Sequence, residues 1–178
     1  MSHKEQFIEI IKNEEWLMEL LKLTRSLNLP DWFFAAGVVR NTVWDVLHDY
    51  KERTPLNDLD LVYFDPSEKI KEEEVEKKLK ELRPEINWEV VNQATAHKFN
   101  NREKATSCCN SIAKWTETPT CIGVRLEKDD SITVCAELGL DDLMEMKVRP
   151  GPDTPQELYH QRMEKKQWKK IWPKLQIM

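Results

Sequence analysis

The sequence predicts a domain of helices packed around a small sheet, α+β in class. Three observations carry this. Residues 5–26 hold apolar side chains at helical spacing, short apolar runs alternate with helical stretches from residue 32 onward, and Gly or Pro punctuates the joins. At 178 residues the chain makes one domain, 1–178, with an N-terminal helical segment at 1–30 and a closing helix within 155–178.

In the first segment Phe7, Ile10 and Ile11, then Leu17, Leu20 and Leu21, recur three and four apart. Asn13 ahead of Glu14 and Glu15 offers a cap that would split this stretch into two helices, and Pro30 ends it. Residues 32–36 read as a short apolar strand, Gly37 turns the chain, and 38–47 read as a helix. Residues 56–64 are a strand. Asp65-Pro66-Ser67 is a turn with a helix cap. It leads into a Lys/Glu-rich helix over 68–82 with Ile70, Val75, Leu79 and Leu82 facing inward, and Pro84 stops it. Residues 86–91 form the next strand, and 103–115 are helical. Residues 118–126 and 132–135 pair as strands joined at Lys128-Asp129-Asp130. A short helix at 140–146, a loop at 150–155 and a helix over 155–172 complete the chain.

Composition narrows the function classes. Hydrophobic residues at 40% and charged residues at 33% are the balance of a folded domain, and one of this size buries roughly two-thirds of its unfolded surface. Residues 1–9 are polar without a signal-like apolar segment, and no apolar run nears the ~18 residues of a membrane span, so we expect a cytoplasmic protein with no membrane partner. The cysteines are Cys108, Cys109, Cys121 and Cys135, with no CxxC pair, which argues against structural zinc. Cys121 and Cys135 read as small buried hydrophobes. Net charge is −5, so the whole surface lacks the basic footprint of a nucleic-acid binder.

The informative stretch runs from Pro55 to Phe64. Side chains alternate along a strand, so Asp58 and Asp60 share one face ~7 Å apart, with Leu59, Leu61 and Tyr63 on the other. Two carboxylates at the mouth of a covered strand repel each other, and lost hydration adds to the conflict. A hard divalent cation, magnesium or manganese, would resolve it. Alone, a DxD pair reads as well as a solvated strand end. Its neighbours shift the balance. The run Phe33-Phe34-Ala35-Ala36-Gly37 breaks from strand into helix, which leaves backbone N–H groups at a positive helix end where a phosphate can sit. Arg40 lies in that helix's first turn, where the dipole disfavours a cation unless an anion binds nearby; the alternative is a solvent-facing residue or a partner for Asp45. Glu89 sits mid-strand, where a carboxylate facing a core is costly unless paired or metal-bound; the common alternative is an exposed position on an edge strand.

These linked motifs resemble the nucleotidyltransferase superfamily that includes DNA polymerase beta and the CCA-adding enzymes. More closely, nearly the whole chain after residue 15 resembles a family of uncharacterised bacterial nucleotidyltransferase-like proteins. The residues that carry this are Ala36-Gly37-Val38-Val39-Arg40-Asn41-Thr42-Val43-Trp44-Asp45, Asn57-Asp58-Leu59-Asp60, Trp88-Glu89-Val90-Val91-Asn92-Gln93-Ala94, Trp115-Thr116-Glu117-Thr118-Pro119-Thr120 and Gly139-Leu140-Asp141-Asp142-Leu143. The resemblance implies a polymerase beta-like fold with a small mixed sheet. It implies magnesium or manganese on Asp58, Asp60 and Glu89, and nucleotide binding by Ala36, Gly37, Arg40 and Asn41. The chain departs from the pattern at Ala36, where Gly-Gly or Gly-Ser is usual; alanine does not readily take a positive φ.

The expected chemistry is in-line attack of an unidentified acceptor hydroxyl on the α-phosphate of a nucleoside triphosphate, with Glu89 within one cation's reach of Asp60. Asn92, Gln93 and His97 are placed to read the base or acceptor, although for His97 a structural role is favoured. Glu117 and Asp142 are read as caps or surface carboxylates. In the tail, Trp168, Ile171, Trp172 and Leu175 form one helical stripe backed by Lys165, Lys166, Lys169, Lys170 and Lys174. A packing face is favoured there over a patch for nucleic acid. The rival to an enzyme is a non-catalytic nucleotide- or metal-binding module of the same fold, or a partner in a two-protein system.

Overall fold

The computed structural model describes residues 1–100 and 103–178. Helices α1 (His3–Asn13) and α2 (Glu15–Arg25) open the chain. Ser2 and Glu5 close a reciprocal capping box on α1, which satisfies donors that a helix start leaves unpaired. The split falls where the sequence suggests it, but Asn13 ends α1, and Glu14, in extended backbone, begins α2 with no side-chain cap.

Strand β1 (Phe33–Ala35) leads into α3 (Gly37–Leu47), β2 (Leu59–Tyr63), α4 (Glu72–Leu82) and β3 (Trp88–Asn92). Short helices α5 (His97–Asn100) and α6 (Cys108–Ile112) precede β4 (Gly123–Leu126) and β5 (Ile132–Cys135). The five strands form one mixed sheet in the order β3-β2-β1-β4-β5. Only β2 and β3 run parallel, joined by the α4 crossover, and the other pairs are antiparallel. The α+β class and the mixed sheet are therefore as expected.

Alternation along β2 and β3 divides the two faces. Leu59, Leu61, Tyr63, Trp88 and Val90 join Phe7, Leu20, Val39 and Trp44 in the main core. Fully burying such side chains contributes about 1.5–3 kcal/mol each. The opposite face carries a smaller cluster of Phe33, Ala35, Val62, Cys108, Ile112, Cys121 and Cys135. α6 covers that face only in part, which leaves the Asp60 end open.

Several boundaries differ from the sequence reading. The helix expected over 68–82 starts at Glu72, because the Asp65 carboxylate accepts from Ser67 N–H, Ser67 Oγ and Ile70 N–H and so holds a loop. Leu82 ends that helix exposed, not inward. The helix expected over 103–115 is confined to α6, started by Ser107 capping Asn110 N–H. Thr118–Thr120 forms a 3-10 turn around Pro119, which cannot donate to a ladder, so β4 begins only at Gly123.

After α7 (Asp141–Met144) and β6 (Lys147–Val148), the closing helix is interrupted. It consists of α8 (Gln156–Lys166) and α9 (Trp168–Ile171), separated by Gln167 in left-handed backbone at φ 49°. β7 (Gln176–Ile177) then pairs parallel with β6. Trp168, Trp172 and Leu175 are buried as a packing face, whereas Ile171 is exposed because the break takes it off the stripe. Cys135 is not a thiol: it is disulfide-bonded to Cys109, with Cα atoms 5.4 Å apart. Among the described residues, no helix is long and apolar enough to cross a membrane.

Candidate active site

The open face of the sheet forms a cleft of about 340 Å³. Its walls come from five places. The β1–α3 junction gives Ala36, Gly37 and Arg40. β2 and the residue before it give Asp58, Asp60 and Val62. Glu89, Val91 and Gln93 come from β3 and its end, and Trp115, Thr116, Glu117 and Thr120 from the segment before β4. Arg162 and Lys166 reach in from α8.

The acidic wall follows from strand register. β2 and β3 are parallel with Asp60 opposite Glu89, so alternation sends both to one face, and Asp58 lies two residues earlier on the same side. Burial, then Asp58, then Glu89 push the Asp60 carboxyl up to about 7; Arg40 and Lys166 act in the opposite sense. Glu89 keeps contact with solvent on the edge strand, so the exposed-edge alternative describes it as well. Loss of water around its carboxyl, then Asp58 and Glu76, nonetheless hold it above the ordinary value. The three do not converge on one point: their oxygens are not all within 4.8 Å of one another, an arrangement that His3, Asp141 and Glu145 alone meet among the described residues.

The opposing wall is the start of α3. The residue that breaks the strand is Ala36, at φ 52° and ψ −119°, in a region that alanine rarely occupies. Gly37, by contrast, has no positive φ, and a Cβ built there would meet Leu56 Cδ2 at an ordinary 3.6 Å. The turn role expected of Gly37 belongs to Ala36, and the start of α3, which carries no side-chain cap, lines the cleft through both residues.

Arg40 is neither solvent-facing nor bound to Asp45. It is buried, with its guanidinium 4.1 Å from the Trp168 ring centroid and 5.4 Å from that of Trp44, and it donates to Asn41 Oδ1 at 2.8 Å. Its Nε is buried without a partner, and burial lowers the group to about 10, the nearby Glu117 and Asp60 opposing that shift. Asp45 instead accepts from Thr54 and from Trp172 Nε1. Asn41 is not on the cleft wall; it steadies Arg40.

Of the three polar residues after Glu89, only Gln93 reaches the cleft, where its Oε1 accepts from Ser111 Oγ at 2.6 Å. Asn92 is spent on the backbone of Asp65 and Ala94, and partly buried His97 is not on the wall. Glu117 reverses its reading: it is 1% exposed and ion-paired with Arg162 Nε and Nη2. The sequence pattern does not single out Arg162, and Lys166, read there as part of the lysine backing of the tail, instead lines the cleft. Their one-turn spacing on α8 was the available signal.

A family model described as "Nucleotidyltransferase" matches residues 22–177. A solved structure described as revealing a CCA-adding enzyme head domain is 32% identical. It covers 98% of this chain and 95% of its own, with a TM-score of 0.83. A structure described as CCA-adding enzyme with CTP has a TM-score of 0.56 at 12% identity, and an apo form 0.54 at 12%. These two matches cover 100% and 96% of this chain but 43% and 42% of the larger enzymes, under half of either, and share the fold. No curated protein matches.

Proposed function

Because this chain belongs to the nucleotidyltransferase family, we propose that its cleft moves a nucleoside monophosphate from a nucleoside triphosphate to an acceptor hydroxyl, releasing pyrophosphate. The carrying observation is the register of Asp60 opposite Glu89, with Asp58 beside them, on the face that the bare start of α3 also borders. Likeness to a CCA-adding enzyme head domain supports a triphosphate donor.

The acidic wall fits a hard cation: it offers carboxylate oxygens alone, and their mutual repulsion is what a positive ion relieves. Magnesium or manganese on Asp58, Asp60 and Glu89 would supply the positive charge that draws electron density from the attacked phosphate. The chain's own groups do the positioning. Backbone N–H groups at Ala36–Gly37 and the α3 dipole hold phosphate oxygens. Arg40, fixed by Asn41 and stacked on Trp168, adds a charge that does not need to reorganise. The carboxylates also orient the acceptor hydroxyl in line with the leaving group, since this transfer depends mainly on positioning and electrostatics.

The test is to incubate the protein with each α-labelled triphosphate, magnesium or manganese, and a cell extract. Pyrophosphate release together with a labelled acceptor is expected, and both should vanish in D58N/D60N. Nucleotide binding with no label transferred under any condition would move the assignment to a binding module; a labelled RNA would identify the acceptor as nucleic acid.

A further inference from the structure

The cleft wall contributed by α8 has no part in the chemistry just described. On that nucleotidyl-transfer reading, we propose that the C-terminal segment selects for the triphosphate. Arg162 and Lys166 contact the two phosphates that leave as pyrophosphate, and Glu117 is the positioning residue that aims Arg162.

Arg162 and Lys166 stand one helical turn apart on α8 and line the same cleft as the carboxylates. Glu117, 1% exposed, takes the Nε and Nη2 edge of Arg162. A guanidinium carries five N–H donors in a planar fork, so this pairing leaves others free for an anion and fixes where they point. The buried carboxylate cannot release Arg162 without being stranded as an unpaired charge, which makes the orientation durable. Lys166 is delivered by the chain break itself. Gln167 turns left-handed immediately after it, and the next residue is the Trp168 that lies under Arg40. One turn of chain thus sets both Lys166 and the ring supporting Arg40. A nucleoside monophosphate would reach the α3 side of this cleft but leave the α8 cations facing carboxylates only. The terminal phosphates of a triphosphate would meet them, through charge-assisted bonds stronger than neutral ones.

The competing role is simple screening, in which Lys166 only moderates the charge on Asp60. Titration calorimetry of the full chain with ATP, ADP and AMP in magnesium separates the two. We expect tight ATP and weak AMP binding by the natural protein. K166A and R162A should each weaken ATP about tenfold, equivalent to ~1.4 kcal/mol, and leave AMP unchanged. E117Q should weaken ATP by a similar factor alone and add nothing in the R162A background. If R162A misfolds around the stranded Glu117, the E117Q/R162A pair and the exposed K166A carry the test. Unchanged ATP binding in these variants, or equal losses for ATP and AMP, would overturn the proposal, and additive losses from E117Q and R162A would remove Glu117 from it. A natural protein that binds none of the three nucleotides would instead bring down the triphosphate reading on which this rests.

Discussion

At the scale of single residues, the cleft depends on one alanine in a conformation better suited to glycine. Ala36 holds φ 52° and ψ −119°, and such backbone costs of order 1–3 kcal/mol for a residue with a Cβ. Ala36→Gly should therefore raise stability by about 1 kcal/mol after the added flexibility of the unfolded chain is deducted, read as a rise in Tm. A lower Tm would mean that the Ala36 methyl packs more favourably than its backbone strains. The alternation of Asp58 and Asp60, and the glycine at a strand-to-helix joint, were legible because they depend on neighbours in sequence. The positive φ at Ala36 was not, since the sequence pattern assigns it to the adjacent Gly37. Nor was Glu117, whose meaning lies in Arg162, 45 positions away; nothing local separates a buried paired carboxylate from a surface cap.

At the scale of elements, periodicity located the helices and strands, while competing local hydrogen bonds set their ends. Asp65 delayed α4, and Pro119 shortened the strand before Gly123. The break at Gln167 had no such signature, as the apolar spacing runs on from Trp168 to Leu175 without Gly or Pro between 156 and 172. Tertiary packing decides there. Trp172 is 1% exposed, lies edge-on to Trp44 at 5.1 Å, and donates through Nε1 to Asp45 at 2.7 Å. This ties the segment after α9 to α3, the helix that presents Arg40. Trp172→Phe keeps most of the ring and deletes that donor to a carboxylate. It should destabilise by about 1–3 kcal/mol and loosen the tail first, seen as faster amide exchange in β7 than in β2. Uniform exchange across the sheet, with no loss of stability, would show that the Trp172–Asp45 bond does not anchor the tail.

At the scale of the whole molecule, the acidic wall makes folding depend on pH and on cations. Burial and the neighbouring Asp58 and Glu89 set Asp60 at about 7 in the folded chain, against 3.8 ordinarily. An acid raised by folding binds more protons folded than unfolded, so stability is greatest below the ordinary carboxylate value. It declines as pH climbs toward 7 and is flat beyond. Glu89 shifts in the same direction and adds to the slope. The ion-free protein should therefore lose Tm between about pH 4 and about pH 7 through this site, whereas D60N should flatten that part of the profile and be the more stable protein at pH 8. Magnesium or manganese would relieve the same repulsion without a proton, so it should raise Tm most at high pH. At a hundred times its dissociation constant the gain is about 2.7 kcal/mol. D58N/D60N should abolish that gain. The exposed cluster of His3, Asp141 and Glu145 is the internal control, because it remains intact in the double variant. A cation response that survives D58N/D60N and disappears with D141N would place the ion at the surface, and the carboxylates of the cleft would lose the role of holding it.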